Sequence, residues 1–121
     1  MSLFEKKGFD AFAESFAGVT FVDQWESRVA KVGGKVFALL SHWGGRGEQI
    51  VFKCTEETFE ILTAMDDIQQ APYFAKRQWV TVAEKAELPR DDLETYIRRS
   101  YKLVAKGLTR KVRTERGIEI D

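Results

Sequence analysis

The pattern of apolar and polar positions divides the chain into one helix, a group of strands and further helices. In residues 3–17 the apolar side chains recur at helical spacing, as Phe9, Phe12, Ala13 and Phe16. Gly18 follows, where a helix end favours a left-handed residue. In residues 21–53, β-branched and aromatic residues dominate, with turn signals at "VGGK" and "WGGRGE". The first stretch predicts a helix and the second an antiparallel meander.

The glycine pair in "KVGGKVFALL" has two possible interpretations. Gly33 and Gly34 followed by Lys35 suggest a phosphate cradle, because bare backbone N–H groups beside an ammonium bind phosphate. A phosphate-binding loop, however, needs Ser or Thr after the lysine and a helix that begins there. Lys35 is followed by Val-Phe-Ala-Leu-Leu, which is a strand pattern. We therefore predict a two-residue hairpin turn in which both glycines adopt positive φ.

This turn sets an expected strand register. Pairing Val32 with Lys35 places Ala30 opposite Phe37 and Val29 opposite Ala38. A five-residue loop at "WGGRG" then gives three further pairs: His42 with Glu48, Leu40 with Ile50, and Ala38 with Phe52. One face of the predicted sheet would carry Val29, Ala38, Leu40, Ile50 and Phe52.

The opposite face of that sheet is also apolar, through Phe37, Leu39 and Val51. An apolar face of this size is either covered or is an interaction surface. Covering by a helix is the more common outcome.

Two helices are predicted after the meander. Thr55 is a candidate N-cap with Glu56 and Glu57 in the first turn, and this helix should run to about Ala64. "YFAKRQWVTV" returns to an extended pattern. "LPRDDLETYIRRSYKLVAKG" then predicts a long helix that ends at Gly107. Its apolar stripe consists of Leu93, Ile97, Ser100, Tyr101 and Val104.

Length and cysteine content narrow the class of protein. The chain has 121 residues, 44% of them hydrophobic, enough for one α+β domain, which we assign to residues 1–108. Residues 109–121 show no packing pattern, and we expect them to fray. A single cysteine, Cys54, excludes an internal disulfide, and the start lacks a secretory pattern. The longest apolar run, residues 36–40, is too short to cross a bilayer, so we expect a cytoplasmic protein.

Charge is balanced overall but is unevenly distributed. The chain has 19 basic and 19 acidic residues. Residues 98–116 contain eight basic residues and one acidic residue, so this segment carries about +7 and the remainder about −7. A global basic bias of the kind found in many nucleic-acid-binding proteins is absent, whereas a local one is present.

The sequence does not favour a catalytic or metal site. In the expected register, Cys54 and the single histidine, His42, lie about 20 Å apart along the sheet. Ser41 points to the opposite face of its strand. One histidine and one cysteine cannot supply the usual zinc ligands. We expect a protein that is not an enzyme and has no cofactor or metal.

An ordered series of segments carries a family resemblance. "GKVFALL", "VFKC", "APYFAKRQWVTV" and "LPRDDLETYIRRSYKLVAK" resemble the MmcQ/YjbR family over roughly residues 15–106. The resemblance implies a CyaY-like α+β fold and, by analogy with a double-wing domain, DNA binding. The frataxin-like comparison also suggests iron binding by acidic surface residues, although a solvated helix face explains those acids better. The chain departs from the family pattern in two places. It has a long basic tail after Gly107, and it has "QWESRV" just before the first long hairpin, where the family has a Trp-Gly pair.

The candidate nucleic-acid-binding residues are the basic side chains of the hairpin tips, of one strand flank and of the last helix. They are Lys31, Lys35, Arg46, Lys76, Arg77, Arg98, Arg99, Lys102 and Lys106. Arg99, Lys102 and Lys106 follow i, i+3, i+7 and share one helix face, away from the apolar stripe. The competing interpretation is a solvated face that complements the helix's own C-terminal dipole.

We therefore expect a monomeric, non-enzymatic binding protein without membrane association, and the family resemblance implies DNA as its partner. The alternative is a protein-interaction module that uses the second apolar sheet face or the basic helix. Duplex binding and partner capture would distinguish the two.

Overall fold

The computed structural model describes residues 1–42 and 47–119, whose elements follow the predicted order. The strands are β1 (Val19–Gln24), β2 (Ser27–Val32), β3 (Lys35–Ser41), β4 (Gln49–Lys53), β5 (Ile68–Gln70) and β6 (Trp79–Ala83). The helices are α1 (Lys6–Ala13), α2 (Glu56–Thr63), α3 (Arg90–Lys106) and α4 (Arg110–Glu115). The strands form one antiparallel sheet in the order β1-β2-β3-β4-β6-β5. The α+β class and the meander are therefore confirmed.

The main core lies between one face of the sheet and the helices. From α3, Leu93, Ile97 and Val104 pack against apolar side chains of β3 and β4, as the apolar stripe predicts. Phe9 and Ala13 of α1 and Leu62 of α2 complete this layer. Burial of these side chains supplies the main stabilising term, because each of the larger ones is worth about 1.5 to 3 kcal/mol when removed from water.

Helix α1 contains a glycine because another part of the chain crosses it. A Cβ built on Gly8 would lie 2.0 Å from the Ser2 carbonyl oxygen. The chain start folds back over α1 and buries Leu3 in the core. The helix is shorter than the predicted residues 3–17 at both ends: the segment before Lys6 is occupied in this crossing, and the helix ends at Ala13, followed by turns up to Gly18.

A β-bulge in β3 corrects the expected register between β2 and β3. Val32 pairs with Lys35 as predicted, but Ala30 pairs with Ala38, which leaves Phe37 as an extra residue. Phe37 therefore joins the core on the helix side, and Val29 moves to the other face. The register between β3 and β4 is confirmed, with Ala38 opposite Phe52 and Leu40 opposite Ile50.

The second face of the sheet is covered by a loop segment and not by a helix. Val29, Leu39 and Val51 have no exposed surface, and they pack with Ala71, Phe74 and Trp79. The Phe74 and Trp79 rings lie 4.5 Å apart. At these positions the face is unavailable as an interaction surface, so that form of the protein-interaction alternative is wrong.

The C-terminal segment packs on the core instead of fraying. Thr109 caps α4, its hydroxyl accepting a hydrogen bond from the Val112 N–H at 3.2 Å. Leu108 and Ile118, on either side of α4, are both buried in the main core. The expected unpacked tail after residue 108 is therefore wrong for residues 109–119. Two apolar residues ten positions apart are too few to produce a recognisable periodic pattern.

The side chains of Ser100 and Tyr101 fix α3 on the sheet. The Ser100 hydroxyl accepts a hydrogen bond from the Lys53 N–H at 2.8 Å and donates one to the Phe37 carbonyl at 2.5 Å. It thereby satisfies backbone groups of β3 and β4 where their ladder ends. The Tyr101 hydroxyl donates to the Ala17 carbonyl at 2.6 Å, and burial raises the pKa of this phenol. Because each of these hydrogen bonds is made with a backbone atom, together they fix the rotation of α3 about its own axis.

No helix among the described residues is both long and apolar enough to cross a membrane.

The hairpin turn is confirmed and allows a stability prediction. Gly33 and Gly34 have φ of 58° and 81°. A Cβ on Gly33 would lie 2.6 Å from Leu108 Cδ1, whereas no atom of the described residues lies within 4 Å of one on Gly34. We expect Gly34→Ala to cost about 1 kcal/mol from backbone strain alone and Gly33→Ala about 2 kcal/mol or more, measured by urea unfolding. Equal costs would show that Leu108 does not pack on the turn.

The Ser100 bridge makes a second prediction. Ser100→Ala should cost about 2 to 4 kcal/mol, because it leaves a buried N–H and a buried C=O unpaired. Thr95→Ala is the matched control, since the Thr95 hydroxyl donates to the Asp91 carbonyl of its own helix in an exposed hydrogen bond. The control should change the free energy of unfolding by less than about 0.5 kcal/mol. Similar values for the two variants would contradict the bridge.

Candidate nucleic-acid interface

A row of three cations lies on the exposed side of α3. Arg99, Lys102 and Lys106 are exposed and project away from the stripe that packs on the sheet. Among the described residues none of the three forms an ion pair within 4 Å. We call Arg99, Lys102 and Lys106 the α3 cation row. The Arg99 guanidinium lies 5.6 Å from the centre of the Tyr96 ring, which holds it along the helix.

The α3 cation row borders a cleft between α3 and the turn that joins β4 to α2. The cleft has a volume of about 190 Å³. The α3 cation row and six further residues line it: Lys53, Cys54, Thr55, Thr58, Tyr96 and Leu103. No carboxylate is among the described lining residues. Four of the nine lining residues are cations, whereas most of the exposed lining surface is apolar, so an anion would be attracted by the cations and not by the rest of the cleft.

The first turn of α2 forms the other wall of this cleft. The Thr55 hydroxyl accepts a hydrogen bond from the Thr58 N–H at 3.2 Å, so the predicted N-cap is confirmed. Glu56 and Glu57 follow in the same turn. The Glu56 carboxylate is bound by Arg77 at 2.7 Å, which offsets its negative charge.

The β2–β3 hairpin brings Lys35 to the C-terminal end of α3. Its ammonium lies 4.0 Å from the position of a Cβ on Gly107. Lys35 therefore extends the α3 cation row beyond Lys106, close to the helix end whose carbonyls favour positive charge. Of the predicted hairpin residues, Lys35 is the one that the structure places with α3. Arg46 lies outside the described residues.

Four other predicted cations lie elsewhere. Lys31 is on the sheet face opposite α3, because it alternates with the core residues Ala30 and Val32. Lys76 is exposed in the loop before β6. Arg98 points to the α1 side of α3, where it lies 5.8 Å from the Phe12 ring.

Arg77 is the fourth, and it is already neutralised. Its guanidinium bonds Glu56 at 2.7 Å and Glu60 at 2.5 Å and lies over the Phe59 ring. The hydrogen bond to Glu56 is the main reason that its pKa is raised. Arg77 thus joins the loop before β6 to α2.

Sequence reasoning missed the contribution of Lys53, Thr55 and Thr58 to the cleft. These residues are more than 40 positions from the α3 cation row, and only the packing of α3 across β4 brings them together. The capping signal at Thr55 identified a helix start without indicating what faced it.

The opposite end of the domain carries a larger, acid-rich cleft of about 770 Å³. Asp23, Glu26, Glu48 and Glu84 are among its lining residues. Arg28 bridges Asp10 at 3.0 Å and Asp23 at 3.2 Å, and its hydrogen bond to Asp10 raises its pKa. Positive and negative charge are thus separated between the two ends of the fold.

Cys54 and His42 occupy separate environments. Cys54 is buried, and burial raises the pKa of its thiol to about 11. His42 Nδ1 lies 2.7 Å from a Glu48 carboxylate oxygen, just beyond the last β3–β4 register pair, Ser41 with Gln49. A protonated, buried thiol is a poor nucleophile.

This fold can be compared with known families by its order of elements, its bulged hairpin and the packing of α3 on the sheet. The YjbR family model matches residues 14–103, which is most of the chain. The chain belongs to the YjbR family. No curated protein matches it.

Solved structures share the fold of this YjbR-family chain. A Deinococcus radiodurans protein with a domain described as DUF419 is 24% identical, with a TM-score of 0.82, over 93% of this chain and 88% of that one. A Pseudomonas syringae protein is 21% identical, with a TM-score of 0.68, over 82% of this chain and 97% of that one. At these identities the likeness shows the fold alone.

The buried thiol gives a chemical prediction. With its pKa raised from 9.0 to about 11, native Cys54 should react with iodoacetamide at pH 8 roughly a hundredfold more slowly than the urea-unfolded chain. Because the folded pKa is the higher one, the stability from this group is complete below pH 9 and falls as the pH rises toward 11. Mass spectrometry follows the labelling, with Cys54→Ser as the blank. Equal rates in the folded and unfolded chains would show that the thiol is accessible.

Proposed function

We propose that this YjbR-family protein binds nucleic acid without catalysis and contacts the phosphate backbone of duplex DNA through the α3 cation row. The observation that carries the proposal is the lack of acidic partners for Arg99, Lys102 and Lys106, among the described residues, beside a cleft lined without carboxylates. Arg28 and Arg77, by contrast, already form ion pairs, with Asp10 and Glu56 respectively. Cations left unpaired on a rigid helix are available to phosphates.

The dimensions of the α3 cation row fit a backbone contact. Arg99 and Lys106 are seven residues apart, which is about 10 Å along an α-helix. Phosphates on one strand of B-DNA advance by about 3.4 Å along the helix axis, so the row faces roughly three of them. Lys35 at the end of α3 adds one further contact. Three to five contacts of this kind would bind DNA through charge.

The binding should be weak and independent of sequence. The contacts proposed for the α3 cation row are to phosphates, and phosphate contacts hold no sequence information. The chain has no net charge, so the acids of the larger cleft oppose long-range attraction. We expect a dissociation constant in the micromolar range or weaker at physiological salt.

The alternative function is docking of an acidic protein on the same helix. The second sheet face no longer supports a protein-interaction module, because Val29, Leu39 and Val51 are fully buried. The α3 cation row remains as the surface that an acidic partner would contact. A protein with no affinity for DNA whose partner capture depends on this row would favour this alternative.

A triple substitution tests the DNA proposal. The wild-type protein should bind duplex DNA with a log–log salt slope of roughly −3 to −5. Replacing Arg99, Lys102 and Lys106 together by glutamine should flatten this slope by up to about three units, because each lost phosphate contact removes about one. Fluorescence anisotropy measures the slope, and thermal unfolding confirms that the fold is retained.

A matched control uses the cations that the structure places elsewhere. Replacing Lys31, Lys76 and Arg98 by glutamine changes the net charge by the same amount but leaves the α3 cation row intact. This control should keep most of the salt slope. Equal losses in the two triple variants would indicate a response to net charge alone, and no binding of the wild type to duplex or single strands at low salt would reject the function.

A further inference from the structure

The face of α3 that borders the smaller cleft alternates apolar and cationic side chains. Tyr96, Arg99, Leu103 and Lys106 follow i, i+3, i+7 and i+10, so they lie along one face of the helix. Tyr96 and Leu103 are half-buried, and neither belongs to the buried stripe of α3. All four line the cleft between α3 and the turn before α2, which we call the α2–α3 cleft. Phosphate contacts alone would use only the cations of this face.

The Tyr96 ring forms a fixed wall of the α2–α3 cleft. It lies nearly parallel to the Phe52 ring of β4, with the ring centres 6.1 Å apart and 9° between the planes. The Arg99 guanidinium lies 5.6 Å from the centre of the Tyr96 ring. Because these contacts hold the ring and the guanidinium in place, this wall is formed before a ligand binds.

The α2–α3 cleft has room for one ring. Its volume is about 190 Å³, and a protein cavity of about 150 Å³ holds one benzene molecule. Most of the exposed lining surface is apolar, whereas Lys53 and the α3 cation row supply four positive charges. A ligand that satisfies both features combines a flat, largely apolar ring with a negative charge.

We infer that the α2–α3 cleft takes an unpaired base of single-stranded DNA while the α3 cation row contacts the phosphates beside that base. Each base in a strand is attached to an anionic backbone, so the ring and the charge arrive together. A base inside a duplex is paired and stacked between its neighbours, and it would have to leave the stack to enter such a cleft. The inference rests on the proposed phosphate contacts and adds a preference for unpaired strands.

The length of the α3 cation row favours a strand over a small organic anion. A single carboxylate would occupy one or two cations, whereas Arg99 and Lys106 are about 10 Å apart along α3. Lys35 extends the row past the end of the helix. Proteins bind unpaired strands by combining a cationic groove with side chains on which bases pack, and such packing tolerates every base. The base contact should therefore add affinity without adding sequence preference.

An abasic strand isolates the contribution of the base. At low salt the wild-type protein should bind a dT strand of about ten nucleotides about tenfold tighter than an abasic strand with the same number of phosphates, as expected for one packed base. Added salt should weaken binding of both strands by the same factor and leave their ratio unchanged, because the base contact is not ionic. Fluorescence anisotropy measures both affinities.

Leu103→Ser removes an apolar wall of the α2–α3 cleft without changing the charge. The preference for the dT strand over the abasic strand should fall to about twofold or less, while the salt slope for duplex DNA stays that of the wild type. Ile61→Ser is the matched control, since Ile61 is 59% exposed on α2 and is not among the described residues that line the cleft. The control should keep the full preference. Circular dichroism shows whether each variant is folded, and the wild-type ratio needs neither variant.

The outcomes separate this inference from the proposed function. Equal binding of the dT and abasic strands by the wild type would overturn the inference and leave the backbone contacts standing. A preference that persists in folded Leu103→Ser would show that the base packs elsewhere. Polyglutamate of equal charge that binds as tightly as the dT strand would show that charge alone suffices. Failure to bind any strand or duplex would reject the proposed function and this inference together.

Discussion

The hydroxyl of Ser100 links helix α3 to the ends of strands β3 and β4. It lies where β3 and β4 diverge, and it completes the hydrogen bonding of the Lys53 N–H and the Phe37 carbonyl. Leaving both groups unpaired in the core would cost several kcal/mol. Because a hydroxyl reaches two backbone atoms only from one helix rotation, the bridge fixes which side of α3 faces the sheet. The side that faces solvent, and with it the direction of Arg99, Lys102 and Lys106, follows from this contact.

Much of the fold could be predicted from local signals. The glycine pair at residues 33 and 34 specified the hairpin, and the stripe on α3 specified the face that packs on the sheet. The bulge could not be predicted, because residues 36–40 are all apolar and such a run is the same whether or not one residue is extra. One extra residue in a strand moves the side chains beyond it to the other face of the sheet. Phe37 and Val29 therefore lie on the faces opposite to those expected. The cover of the second face was missed because "YFAKRQWVTV" was expected to be extended throughout, whereas the strand begins only at Trp79 and Phe74 lies in the loop before it.

The candidate site, like the fold, could be predicted in part from local sequence spacing and in part depends on tertiary contacts. The i, i+3, i+7 spacing of the α3 cation row is local, and it placed those three side chains together correctly. Arg77 looks equally basic in the sequence, yet its partners Glu56 and Glu60 lie about 20 residues earlier and meet it only after folding. A count of cations therefore overestimates a binding surface. What matters is which cations the fold leaves unpaired, and this information appears only when α2 and the loop before β6 are brought together.

The absence of net charge hides a strong charge separation. The basic segment of residues 98–116 lies at one end of the domain in α3 and α4, and the acid-rich cleft lies at the other. Each end favours a partner of opposite sign. Arg99 and Lys102 line the cleft beside α2, so the potential at this cleft is positive although the chain as a whole is neutral. Added salt should therefore screen a local attraction at the α3 cation row that the net charge of the chain does not reveal.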